Sequence, residues 1–317
     1  MSETPVSWAT RRQHRRHETL IQWALFFCAA LSVLTTAAII LVLLSNAVYA
    51  PGDKTAFFEK VSLWEFLTGT HWKPSDGPGG KYGIWPLLSG TFLVAIVAAA
   101  VSIPAGLGAA IYMSEYANPK EREWIKPVLE VLAGIPSVVF GFFALKFITP
   151  VVLKPLFQFL GADIAVFNSL SAGIVVGIMV TPLIASLSED VIRSVPRSLR
   201  EAAYALGSTR FDVSAKVVVP AALSGILASF LLAFSRAIGE TMAVAIAAGG
   251  NPVFTLNPLR GAQTMTGFMV HASTGDSAAD SIPRMSMYAV GITLFVITLI
   301  INLISGWILR RYREVYQ

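Results

Sequence analysis

The sequence predicts an all-α membrane protein with six transmembrane helices. Its composition and the distribution of its apolar segments both lead to this fold class. Of the 317 residues, 55% are hydrophobic and 14% are charged, whereas soluble domains carry about 25% charged residues. This deficit of charge excludes a soluble core. The basic residues lie beside apolar segments rather than in a stripe interleaved with aromatic residues, so we expect no nucleic-acid binding.

Six apolar segments are long enough to cross the hydrocarbon layer, which requires about 20 residues in a helix. They cover residues 20–44, 84–113, 127–149, 167–187, 221–248 and 285–309. All six should be helices, because a lipid-facing backbone must satisfy its own hydrogen bonds. The first is too long for the apolar part of a signal peptide, about 7–15 residues. We therefore expect it to remain as the first transmembrane helix.

The basic residues indicate the orientation of these helices. They concentrate in the N-terminal tail, the second and fourth loops, and the C-terminal tail, which share one face if there are six spans. The positive-inside rule assigns that face, and both termini, to the cytoplasm. The predicted organisation is a cytoplasmic tail (1–19), a first helix (20–45), an extracytoplasmic loop (46–83), a five-helix core (84–310) containing a cytoplasmic loop (188–220), and a cytoplasmic tail (311–317).

Two further features concern packing. Within the outer loop 249–284, the apolar piece 263–271 is too short to span, and an interfacial or re-entrant helix and a covered loop both fit it. Gly173 and Gly177 have the spacing that allows close contact between membrane helices.

Several chemistries lack their sequence signatures. The phosphate-binding motif GxxxxGK[ST] is absent from the sequence, so we expect no ATP site in this chain. The four histidines are scattered and Cys28 is the single cysteine, which leaves no pattern for a metal site or an internal disulfide. No nucleophile elbow of the GxSxG type occurs. The sequence therefore predicts no catalytic residue, no metal and no cofactor.

The fourth loop combines charge with strong helix propensity. Ser188-Glu189-Asp190 could cap a helix start, residues 198–206 favour a helix, and Gly207 has the conformational freedom to end it. A second helical piece should follow over residues 211–219. The apolar residues of the first piece recur at helical spacing and predict a single face: Leu199, Ala202, Ala203 and Leu206. That face could receive a partner protein or rest on the protein's own helices.

Two charged residues, Arg236 and Glu240, lie inside the fifth apolar segment. Charges inside a bilayer are costly and are candidates for function. Their spacing of four places both on one face of a continuous helix, where they could pair and face an aqueous path. The planar guanidinium of Arg236 suits a tetrahedral oxyanion. A purely structural salt bridge between the two residues is one alternative, and an Arg236 side chain that extends to the membrane interface is another.

The fourth loop resembles the cytoplasmic signature loop of ABC importer permeases. The resemblance rests on Glu201-Ala202-Ala203, then Gly207, then the segment Val217-Val218-Val219-Pro220, where the family pattern reads Ile-x-Leu-Pro. It implies the type I importer permease fold, with a coupling helix that docks on a separate ATPase. Glu201, Ala202, Ala203 and Gly207 would make that contact, and this chain would be non-catalytic.

Two other segments are similar to the permease subunits of the phosphate ABC importer. They read LAGIPSVVFGFF over residues 132–143 and SRAIGETMAV over residues 235–244. The long first outer loop and the basic N-terminus look more like the PstC-type subunit than its PstA-type partner. The resemblance implies phosphate transport past Arg236 and Glu240 in the inner membrane. It also implies a PstA-type permease, an ATPase dimer and an extracytoplasmic phosphate-binding protein as partners. An importer of molybdate, sulfate or phosphonate and an ion-coupled secondary transporter are the alternatives.

Overall fold

A computed structural model describes residues 16–49, 56–74, 79–275, 278 and 281–311. Most of the predicted N-terminal tail (1–19) and residues 312–317 of the C-terminal tail lie outside these ranges. The described residues form helices and one antiparallel ribbon, in which β1 (Trp72–Lys73) pairs with β2 (Lys81–Tyr82). The predicted all-α class is confirmed.

The residues that the structure describes contain fifteen α-helices. In chain order they are α1 (Arg16–Ala47), α2 (Phe57–Lys60), α3 (Leu63–Thr68), α4 (Trp85–Ile111), α5 (Pro119–Gly134), α6 (Ser137–Phe143), α7 (Lys154–Phe159), α8 (Ser169–Ser194), α9 (Arg197–Ala205), α10 (Arg210–Val213), α11 (Val219–Ala221), α12 (Leu223–Ile238), α13 (Met242–Ala247), α14 (Met265–Thr274) and α15 (Ile282–Arg311). Three π-helical segments, Tyr112–Tyr116, Ala144–Leu153 and Ser214–Val218, continue or join them.

Five helical stretches in the described residues are long and apolar enough to span a membrane. They are Ile21–Ala47, Trp85–Tyr116, Ser137–Phe159, Ser169–Ser194 and Ile282–Ile308. A sixth candidate consists of Arg210–Ala221 and Leu223–Ile238, which meet at a bend of 71°. The six predicted helices are obtained when this bent pair counts as one span.

The predicted third span, residues 127–149, is wrong in its boundaries. The chain breaks at Ile135, which is extended because the following residue is Pro136. The polar helix α5 ends before this break, and the apolar stretch Ser137–Phe159 forms the span. The prediction relied on hydropathy, which does not distinguish the apolar end of α5 from the apolar helix that follows it.

The predicted fifth span, residues 221–248, is not continuous either. The chain bends at Ala222, and α12 ends at Ile238 before Gly239. A separate short helix, α13, follows. In the loop after it, α14 makes residues 265–271 of the segment 263–271 helical, and the Thr264 side chain caps its first turn by accepting from the Gly267 N–H at 3.1 Å.

Helices α4 and α8 form the most extensive helix pair of the fold. Glycines permit their close approach. A Cβ atom on Gly173 would lie 2.5 Å from the Val97 side chain, and one on Gly177 would lie 2.8 Å from the Ala98 carbonyl oxygen. The expectation that these two glycines mediate helix contact is confirmed.

We expect Gly177→Ala to destabilise the protein, because the added methyl group meets backbone that cannot move away easily. The expected cost is about 1–3 kcal/mol, typical of overpacking. Gly108→Ala is the matched control, since a Cβ atom on Gly108 would have no neighbour within 4 Å and alanine is the better helix former. The apparent melting temperature in detergent measures both variants. Equal melting temperatures would contradict the proposed tight contact.

Candidate functional site

Helix α9 lies at the end of the bundle where α4 and α8 finish and α12 begins. It starts after the extended Pro196 and ends in a complete Schellman motif. The Gly207 N–H donates to the Tyr204 carbonyl at 2.9 Å, and the Ser208 N–H donates to the Ala203 carbonyl at 3.2 Å. Gly207 has φ +83°, a left-handed conformation that favours glycine. The structure therefore contains both the helix and the glycine stop that the sequence predicts.

The single apolar face predicted for α9 is divided in the structure. Ala203 is buried, and Leu199 packs with it against a small core under the helix. Glu201, Ala202 and Leu206 are exposed instead, Leu206 to 87%. Leu206 is the residue at which the chain leaves the helix, so helical spacing no longer fixes its direction. One side of α9 thus rests on its own protein, and the other is open to a partner.

Arg200 attaches α9 to the rest of the bundle. Its Nη2 lies 3.0 Å from Glu115 Oε1, at the end of α4, and 2.8 Å from the Ile192 carbonyl. Its Nη1 donates to the Val195 carbonyl at 2.6 Å. An arginine is well suited to the unpaired carbonyls at a helix C-terminus. In the sequence, Arg200 was one of the basic residues of the fourth loop that indicate its orientation.

Glu189 is the most deeply buried charged residue near α9, with no solvent-exposed side-chain surface. Its Oε1 lies 2.8 Å from Arg122 Nη2 and 3.5 Å from Arg193 Nη1, and its Oε2 lies 3.4 Å from Lys126 Nζ. A buried charge of this kind must be paired. The suggestion that Ser188-Glu189-Asp190 caps a helix start is wrong, because these residues lie inside α8.

The start of α5 is also fixed to the end of α4 by a carboxylate. Glu121 Oε2 accepts from the Asn118 N–H at 3.0 Å and from the Tyr112 hydroxyl at 3.1 Å. The bond from the Asn118 backbone, followed by the Tyr112 hydroxyl, lowers the pKa of the Glu121 carboxyl below its usual value. The junction between α4 and α5 is therefore held by the ionised acid.

Arg236 lies in the last turn of α12 and lines a cavity of about 290 Å³. The cavity lies between α4, α5, α8 and α12, and its other charged lining residues are Lys126, Glu130 and Glu189. Arg236 forms no ion pair with any residue that the structure describes. Arg236 is exposed, and the partly open cavity that it lines is also bordered by the buried Glu189.

Glu240 does not share a helix with Arg236. Because α12 ends at Ile238, Glu240 lies in the break before α13, and no ion pair joins the two side chains in the described structure. Glu240 Oε1 instead accepts from the Ala243 N–H at 3.4 Å, and its carbonyl accepts from the Thr266 hydroxyl at 2.7 Å. The predicted Arg236–Glu240 pair is wrong for this conformation, since Gly239 interrupts the helix that would align them.

Comparison with known families decides the class of the protein. The sequence profile of the family "Binding-protein-dependent transport system inner membrane component" matches residues 102–314. The chain belongs to this family. It is thus a multi-pass permease subunit of an ABC importer of the inner membrane. Permeases of this kind are non-catalytic and work with a separate ATPase and a periplasmic binding protein.

Individual relatives cover most of the permease. It is 34% identical to the "Probable ABC transporter permease protein YqgH" of Bacillus subtilis, over 88% of this chain and 89% of the relative. It is 32% identical to the "Phosphate transport system permease protein PstC" of Xylella fastidiosa, over 78% of each chain. Among solved structures, a bacterial ABC transporter that imports the polysaccharide alginate matches with a TM-score of 0.66 at 13% identity, covering 94% of this chain and 98% of that one. This last likeness shows the fold alone.

We expect Glu189→Gln to lower the stability of the permease, because three cations would lose their shared carboxylate. The expected cost is about 2–3 kcal/mol, below the range for a fully buried pair because the cations keep partial access to solvent. Asp190→Asn is the matched control, since Asp190 is 59% exposed and contacts only Lys126 among the cations described. Its expected cost is about 0–1 kcal/mol. Apparent melting temperatures in detergent compare them, and equal values would contradict a structural role for the cluster.

Proposed function

We propose that this permease imports inorganic phosphate. The observation that carries the proposal is the similarity to relatives named phosphate transport permeases, including one from Pasteurella multocida that is 29% identical over 96% of this chain. The YqgH relative has a name without a substrate, so another oxyanion such as molybdate, sulfate or phosphonate remains the rival.

The chemistry of Arg236 supports an oxyanion as substrate. A guanidinium group offers paired N–H donors that match two oxygens of a tetrahedral anion. Arg236 has this fork available, because no described carboxylate pairs with it, and it faces a cavity rather than packed side chains. In the proposed path the anion passes Arg236 on its way through the bundle. Glu240 lies in the helix break beside Arg236, where its side chain accepts from the Ala243 N–H. In this proposal it stabilises the break and so fixes the position of Arg236.

The exposed side of α9 supports the proposed ATPase contact. Glu201 and Ala202 are open to a partner, Gly207 turns the chain sharply after them, and Ala203 anchors the helix from beneath. In this proposal the α9 end of the bundle and both termini lie in the cytoplasm. A PstA-type permease completes the membrane pathway, an ATPase dimer drives it, and an extracytoplasmic phosphate-binding protein delivers the anion.

We expect Arg236→Gln to reduce uptake of labelled phosphate at least about tenfold, because the anion loses its charged, two-pronged donor. Cells that lack other phosphate importers provide the measurement. Arg236→Lys is the matched variant, because lysine keeps the positive charge but lacks the paired N–H donors of the guanidinium. We expect its uptake rate to lie between those of the wild type and Arg236→Gln. The amounts of assembled complex should be equal in all three cases.

Competition identifies the substrate in the same assay. Excess unlabelled phosphate should abolish the signal, and molybdate, sulfate and phosphonate should leave it unchanged. If one of these anions inhibits uptake at a lower concentration than unlabelled phosphate does, that anion replaces phosphate as the proposed substrate. Wild-type uptake in the Arg236→Gln cells would eliminate the proposed role of the arginine.

We expect Gly207→Val to uncouple ATP hydrolysis from uptake. The left-handed conformation costs a β-branched residue about 1–2 kcal/mol, so the Schellman turn would open and the exposed side of α9 would lose its shape. Gly207→Asn is the matched control, because asparagine tolerates this conformation and no atom lies within 4 Å of a Cβ atom there. The ratio of phosphate transported to ATP hydrolysed, measured in proteoliposomes, tests both. An ion-coupled secondary transporter would keep full uptake in both variants and without ATP.

A further inference from the structure

A second cavity, of about 500 Å³, lies next to α9 and is lined by four arginines. Its walls come from the end of α4, the start of α5, the end of α8, and α9. The arginines are Arg122, Arg193, Arg197 and Arg200, and the acidic lining residues are Glu115 and Glu201. Arg236 is not part of this lining, although Met113 lines both this cavity and the one that contains Arg236.

The four guanidinium groups differ in how many acidic and carbonyl partners they contact. Arg200 is bound to Glu115 and to two carbonyls, and Arg122 holds Glu189 through Nε and Nη2. Arg193 reaches Glu189 only at 3.5 Å. Arg197 forms no ion pair with any residue described in the structure, and neither does the acidic Glu201 four residues after it.

This arrangement favours a small anion as ligand. Like charges held around one cavity repel each other, and an anion between them removes the repulsion. The volume lies within the range of small-ligand sites, about 300–1,000 Å³. The cleft is open to solvent and Arg193 and Arg197 are exposed beside it, so a ligand from solution can reach both side chains.

We propose that this cavity binds a phosphate oxyanion between Arg193 of α8 and Arg197 of α9, with Arg122 completing the site from α5. The ligand would connect α9, the proposed contact for the ATPase, with α8, which carries Glu189. Two sources supply the same chemistry: inorganic phosphate in solution, and the phosphate of an anionic lipid headgroup. The site is independent of which substrate the permease transports.

Binding of labelled inorganic phosphate to the purified complex, ATPase included, tests the proposal by equilibrium dialysis. The Arg236→Gln complex serves as background, so that the proposed transport site does not contribute. In this background we expect saturable binding that Arg193→Gln and Arg197→Gln together weaken at least about tenfold, because charge-assisted hydrogen bonds are lost. Arg210→Gln removes an exposed arginine outside the cavity and should leave binding unchanged.

A second arm distinguishes the two sources. The same complexes are placed in nanodiscs of phosphatidylglycerol or of phosphatidylcholine, and phosphate binding is repeated. Equal binding in both supports inorganic phosphate as the ligand, and loss of binding in phosphatidylglycerol alone supports the lipid headgroup.

Three results would overturn the proposal. The first is no saturable binding in either lipid or in detergent. The second is unchanged binding in the Arg193→Gln, Arg197→Gln complex. The third is binding that appears only after the ATPase is removed, which would assign the cavity to an acidic side chain of that partner. None of these results bears on uptake past Arg236, so the two proposals fail separately.

Discussion

The fold around α9 depends on the burial of one carboxylate. Glu189 has no exposed side-chain surface, and three cations from two helices surround it. A charge in such a place is tolerated only while its partners stay in contact, because each unpaired ion costs several kcal/mol. The cluster therefore fixes α5 against α8 in one arrangement. It also lines the cavity that contains Arg236, so it connects the α9 end of the bundle with the proposed path.

Helix α9 is held by contacts that resist displacement relative to the bundle. Arg200 joins it to Glu115 on one side and to the last carbonyls of α8 on the other. Ala203 packs beneath it, and the Schellman motif closes its C-terminal end without any contact from another helix. A nine-residue helix is too short to be stable alone. These tertiary contacts hold α9 firmly against the ends of α4 and α8. A displacement of its exposed side would therefore be transmitted to both helices.

The sequence predicted the features that local chemistry controls and missed those that depend on distant partners. The helix stop at Gly207 follows from backbone conformation, and it was found. Two of the three partners of Glu189, Arg122 and Lys126, are 67 and 63 residues away in the chain. The third, Arg193, has the i,i+4 spacing that is also common for exposed helix pairs, so the sequence near Glu189 does not reveal its burial. The run Ser188-Glu189-Asp190 was interpreted as a helix cap because acidic residues favour the start of a helix.

The two misplaced spans have a related cause. Hydropathy measures how long an apolar segment is but not whether its backbone is continuous. Pro136 was visible in the sequence as an interruption, yet the apolar residues on both sides of it read as one helix. Gly239 lies within an apolar run and could equally have been an internal helix residue. Its role as a helix end became clear only from the structure, and with it the separation of Arg236 from Glu240.

Three interruptions of regular helix lie at or close to the Arg236 cavity. Pro182, which lacks an N–H for the helix, lines it from α8. Ala133 lines it from α5, two residues before the break at Ile135, and α12 ends two residues after Arg236. Irregular backbone at membrane depth is tolerated where it faces protein or a water-filled cavity. The Glu189 cluster, by contrast, lies within the continuous part of α8. The cavity is therefore bordered both by interrupted backbone and by the ion cluster that attaches α5 to α8 at the α9 end.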